Sequence, residues 1–133
     1  MSIENSKVIE AVESMTEAFH KKDVNGVLTC YEDGAGIMFE PGKRISDPIE
    51  IKQMFEGAFK LNPKYSYPSG HEAYIANDIA LHIAPWIMTG RAPDGTEVAQ
   101  NGLSVAVLRK QPGGKWLLVL DNPHGDLLIE NNQ

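Results

Sequence analysis

The sequence predicts an α+β fold, helices first and an antiparallel sheet after them, on three observations. Helical periodicity is confined to the first half of the chain. The second half is a run of strand-length segments separated by Pro/Gly turns. The last two segments form a hairpin, from Asn101 to Gly125, that is apolar on both faces. Its turn, Pro112-Gly113-Gly114, supplies a preset φ followed by residues that accept positive φ without steric cost. Leu103, Val105 and Val107 are expected on one side and Ala106 and Leu108 on the other, with Trp116, Leu118 and Leu120 opposing Leu117 and Val119. Both faces of such a hairpin have to be covered.

The elements follow in order. Val8, Val12, Met15 and Phe19 recur at helical spacing and predict a first helix over 4–21, with the charged residues off that stripe. Asp23 reads as the N-cap of a short second helix over 24–31, ended by Gly34-Ala35-Gly36. A short strand over 36–40 runs into the turn Pro41-Gly42. Asp47-Pro48-Ile49-Glu50 is a strong start signal, with an N-cap, a proline at the first helical position and a glutamate placed for a capping box. The helix it opens carries Ile51, Met54, Phe55, Ala58 and Phe59 on one face and ends at Asn62-Pro63. Strands are expected over 71–76, 79–89, 97–110 and from Trp116 onward, joined by turns at Asn77-Asp78, Pro93-Asp94-Gly95 and Pro112-Gly113-Gly114.

At 133 residues, the chain reads as one domain, 1–133. A chain of this size buries about two-thirds of the surface its unfolded form exposes, enough for a core without staples. Net charge is −6 and the twelve Lys and Arg are scattered, so there is no basic stripe for a phosphate backbone and nucleic acid is not expected as a partner. No run of membrane-spanning length occurs. Cys30 is the only cysteine, which suits a reducing compartment, and the expected location is cytoplasmic. The four histidines lack H-x-x-x-H or H-x-H spacing, and no metal or cofactor is expected.

The helices can cover one face of the sheet. The other face has nothing left in the chain to cover it, so a homodimer through sheet faces is expected.

The segments AFHKKDVNGVL, TCYEDGAGIMFEPGKRISDPIEIKQMFEGAF, IAPWIMTGRAPDG and LRKQPGGKWLLVLDNP together resemble the nuclear transport factor two-like superfamily, closest to its SnoaL-like and ketosteroid-isomerase-like branch. The resemblance spans nearly the whole chain and rests on scaffold pattern. It implies a cone-shaped, curved antiparallel sheet wrapped by three N-terminal helices, with an internal pocket for a small apolar ligand. It also implies either cofactor-free acid/base chemistry of isomerase, cyclase or dehydratase type, or ligand binding alone, or a non-catalytic dimeric association module. The family's base falls on Glu40, in Phe39-Glu40-Pro41-Gly42, while its first-helix tyrosine falls at about Met15, which cannot donate a hydrogen bond.

Residue by residue, Glu40 reads either as a desolvated base or as a solvated strand-end glutamate. His82 and Trp86 share a strand face with the small Ala80 and Ala84, the pattern of a pocket wall or of plain packing. Asp121 and Asn122 end a buried strand on opposite faces, so one should point inward. By simple alternation Asp121 goes with Leu117 and Val119, and Asn122 with Trp116 and Leu118. An Asx turn before Pro123 is the other reading. Catalytic roles are assigned to Glu40, His82 and Asp121. Ligand contacts are expected from Tyr31, Phe39, Phe55, Phe59, Trp86, Asn101, Asn122 and His124.

Overall fold

A computed structural model describes residues 2–127. Ser2 caps helix α1 (Ile3–His20) by accepting from the Asn5 amide, and Val8, Val12, Thr16 and Phe19 are its buried stripe. Asp23 caps α2 (Val24–Leu28), accepting from the Gly26 amide. Asp47 caps α3 (Pro48–Phe59), accepting from the Ile49 and Glu50 amides, and Ile51, Phe55 and Phe59 are buried along it. Each cap satisfies amides that the first helical turn leaves without partners.

The strands are β1 (Tyr31–Glu40), β2 (Lys43–Ile45), β3 (Lys64–Ser66), β4 (Glu72–Ala76), β5 (Ile79–Arg91), β6 (Glu97–Lys110) and β7 (Trp116–Asn122). They form one curved, open sheet in the order β2-β1-β7-β6-β5-β3, with β4 also paired to β5. The helices pack on its inner face. Three expectations are corrected here. Tyr31 does not close the second helix. That helix stops at Leu28, and Tyr31 opens β1, whose irregular register between Tyr31 and Gly36 contains Gly34 at φ 79°, so the glycines kink a strand instead of ending a helix. The sheet is mixed, because β1 runs parallel to β7. The short strands β2 and β3 were not anticipated.

The third correction matters most for function. Val107 pairs with Leu120 but Leu108 pairs with Leu118, so Val119 is an extra residue in β7. This bulge reverses the alternation behind it. Leu120 turns outward, and Asp121 joins the inner face with Trp116 and Leu118. In register across the inner face lie Ile37, Asp121, Ala106, His82 and Ala73, one from each of β1, β7, β6, β5 and β4. On the outer face Tyr74, Leu81, Val107 and Leu120 form a corresponding row.

Candidate functional site

The inner row places the site. Asp121 and His82 stand two strand spacings apart, about 10 Å, and the residue between them is Ala106, whose methyl group leaves a hollow. Helix α1 contributes Val12, Met15, Thr16 and Phe19 above it and α3 contributes Phe55 and Ala58, bounding a half-open cavity of about 130 Å³. Most of the lining is apolar. The polar groups are few and grouped at two ends.

At one end the Tyr31 hydroxyl donates to Asp121 Oδ2 at 2.6 Å. Burial raises the Asp121 carboxyl above its ordinary 3.8, although the Tyr31 bond and the nearby His124 pull it down. The Tyr31 phenol is pushed well above 10, chiefly by burial and then by the adjacent Asp121. At the other end His82 is fully buried, and its Nε2 lies 2.8 Å from His71 Nδ1. Burial first, and the neighbouring His71 second, lower the His82 imidazole from 6.5 to about 4. Tyr67 reaches the cavity beside this end, its hydroxyl 3.0 Å from Thr16 Oγ1, and burial raises its phenol. Tyr65 also lines the cavity, and burial pushes it up to about 12.

Of the residues expected at the site, Tyr31, Phe39, Phe55, His82, Trp86 and Asp121 line the cavity. Trp86 is held there by its Nε1–H, which donates to the Pro123 carbonyl at 2.9 Å, and the missing side chain of Gly102 makes room for its ring. The others do not line it. Glu40 is exposed at the end of β1, where it pairs with Lys43 across the turn, so the base position implied by the family resemblance lies outside the cavity. Asn101 is exposed opposite Ile87. Phe59 packs behind the cavity wall, its ring 5.0 Å from Phe19. Asn122 accepts from the His124 amide at 3.0 Å in an Asx turn and pairs with Val105 on the outer side. His124 shares a hydrogen bond of 3.0 Å with the Phe39 carbonyl, tying the exit of β7 to β1.

Sequence reasoning missed Thr16, Tyr65, Tyr67, Ser104 and His71. The alternation of Tyr65 and Tyr67 in Lys64-Tyr65-Ser66-Tyr67 was a period-two signal for β3 and its extension, hidden by the flanking prolines.

No family model and no curated protein matches the chain. Solved structures do. A nuclear transport factor 2-like superfamily protein from Salmonella enterica serovar Typhimurium superposes with TM-score 0.77 at 15% identity, covering 88% of this chain and 87% of that one. This is the nuclear transport factor 2-like fold. A candidate scytalone dehydratase from Novosphingobium aromaticivorans superposes with TM-score 0.77 at 9% identity, over 88% of this chain and 80% of that one. The association domain of C. elegans CaMKII does so with TM-score 0.71 at 16% identity, over 88% and 92%. One fold thus carries dehydratase-type and association-domain proteins, and at these identities the likeness speaks for architecture. Among the described residues no helix is long and apolar enough to cross a membrane, and no group of three or more His, Cys, Asp or Glu could hold a metal.

Proposed function

We propose that the chain binds a small, largely apolar molecule carrying a hydroxyl or carbonyl, and that Asp121 is the acid/base group facing it. One observation carries this reading: a carboxyl clamped by Tyr31, with its affinity for a proton raised by burial, inside an apolar cavity. Size narrows the ligand. A dry cavity of about 150 Å³ accepts benzene, so the space between Asp121 and His82 suits one ring and not a fused polycycle. The carboxylate form of Asp121 can take a proton from a hydroxyl or an activated carbon, and Tyr31 steadies the charge that remains. The candidate dehydratase with this fold supports acid/base chemistry as the class. Asp121 is preferred to Glu40 as the base because it lines the cavity and Glu40 does not.

The test is thermal unfolding with phenol, 4-methylphenol or cyclohexenone added. Wild type is expected to gain melting temperature with at least one of them, as a native-state ligand requires. Ala106→Leu, which fills the hollow, should abolish the gain, and Asp121→Asn should weaken it. Equal gains in wild type and Ala106→Leu would place the ligand elsewhere.

A second reading concerns assembly. Tyr74, Leu81, Ile87 and Leu120 are exposed on the outer sheet face, and an apolar row of this kind is the mark of a covered surface. The association domain of the same fold favours a second copy as the cover. Sedimentation is expected to give a dimer that Leu81→Glu dissociates, and a wild-type monomer at micromolar concentration would remove the idea.

A further inference from the structure

His82 is held by one hydrogen bond, to His71, and its other ring nitrogen, Nδ1, is buried with no partner among the described residues. His71 in turn is a bridge. Its Nδ1 meets His82, while its Nε2 lies 4.0 Å from Oε2 of Glu13 on α1. The His71 side chain is 10% exposed and that of Glu13 59%, so the three groups run from the cavity wall to solvent. Tyr67 packs against His71 with ring centroids 4.5 Å apart and planes tilted by 46°, and the two imidazoles lie 5.1 Å apart.

The Glu13 carboxylate, 4.0 Å from His71 Nε2, biases the proton position by its charge. An imidazole nitrogen facing Glu13 carries the proton, because a lone pair there would oppose the carboxylate. Burial lowers the affinity of His71 for a second proton, although Glu13 raises it, and so favours the neutral ring. His71 Nδ1 is then an acceptor and His82 Nε2 the donor to it. The remaining lone pair of the chain sits on His82 Nδ1. The other groups facing the pair are uncharged: Ala73 on β4 and Ala106 on β6 flank His82, and Tyr67 covers His71.

We propose that His82, His71 and Glu13 form a proton relay between the cavity and solvent, with His82 Nδ1 as the inner acceptor for a hydroxyl proton of the bound molecule. In one passage the ligand O–H bond breaks and its proton joins His82 Nδ1. The Nε2 proton of His71 then leaves to a water at the surface, with the Glu13 carboxylate 4.0 Å away, as the Nε2 proton of His82 moves to His71 Nδ1. One proton enters and one leaves, both rings stay neutral with inverted tautomers, and the reverse passage resets them. This gives the cavity a second route for proton return beside its mouth. It rests on the reading of the cavity as a ligand site, but its hydrogen-bond direction is a property of the empty protein and is tested there.

The experiment is long-range proton–nitrogen spectroscopy of ligand-free protein labelled with nitrogen-15 histidine, at neutral pH. Both His71 and His82 are expected as neutral Nε2–H tautomers, and the exposed substitution Glu13→Gln is expected to introduce the Nδ1–H tautomer of His82. A wild-type His82 carrying its proton on Nδ1, or a His82 tautomer indifferent to Glu13→Gln, would overturn the relay. Exchange of the His82 Nε2–H with solvent supplies a second readout. With His71→Phe this proton can leave only through local opening, so exchange should slow by about an order of magnitude or more, while the β5 amides keep their protection. Unchanged exchange would also overturn it. Should His71→Phe not fold, the wild-type and Glu13→Gln tautomers decide alone. None of these measurements needs a ligand, so their failure leaves the binding reading untouched.

Discussion

The two polar ends of the cavity are a contrast in how one protein environment treats opposite charges. Asp121 and His82 sit in the same inner row, two strands apart, and both are driven toward neutrality by loss of water. Asp121, however, has an internal donor in Tyr31, whereas His82 keeps one nitrogen without a partner among the described residues. At the acid end one carboxylate oxygen is held by Tyr31, and at the histidine end one buried nitrogen is left without a partner among the described residues. Desolvation alone therefore does not define a reactive group. What matters is which hydrogen-bond position the fold leaves open.

The largest test of the contrast is pH. The folded His82 value of about 4 lies below the ordinary 6.5, so the folded state resists protonation. Stability should be complete above that upper value and fall as pH drops between the two, by on the order of 3 kcal/mol. His71 and His20 are also lowered and act in the same direction. Asp121 has the opposite sign: its raised value means that the ionised acid costs stability above 3.8, and acidification relieves that cost. Urea unfolding at stepped pH should show the histidine loss first, and His82→Gln should flatten it. A variant with the wild-type pH slope would assign the loss to another group.

Next in size is Tyr31→Phe. It leaves the Asp121 carboxylate without its donor, at an expected cost of about 1–3 kcal/mol at neutral pH. The cost should shrink once Asp121 is protonated, and urea midpoints across that range would read it. An effect independent of pH would mean that Tyr31 matters as packing alone.

These expectations also mark what could be read from the sequence. The helices were legible because their signals are local: the caps Asp23 and Asp47, the proline at position 48 and the periodic stripe of α1 all act within a turn or two. The long hairpin was legible for the same reason. The facing of Asp121 was not, because one extra residue at Val119 reverses every side chain beyond it, and a bulge leaves no mark in an apolar run. The pairing of His71 with His82 depends on a turn between neighbouring strands, and the exposure of Glu40 outside the cavity depends on how β1 ends, which a scaffold resemblance does not specify.

Smaller effects sharpen the comparison. Asn122→Ala removes the Asx turn beside Asp121 and should cost about 0.5–1.5 kcal/mol without altering ligand-induced stabilisation, separating a turn former from its cavity-facing neighbour. Glu40→Gln should change stability by less than about 0.5 kcal/mol and leave ligand response intact. A loss of response in Glu40→Gln would restore the position that the family resemblance implied.

The most direct measurement is a crystal structure of the protein soaked with 4-bromophenol, whose bromine is located by anomalous scattering. The account expects the ring over Ala106 between Phe55 and Trp86, with the hydroxyl at hydrogen-bond distance from Asp121 or His82. A bromine found only on the outer surface, with side chains filling the space above Ala106, would contradict it.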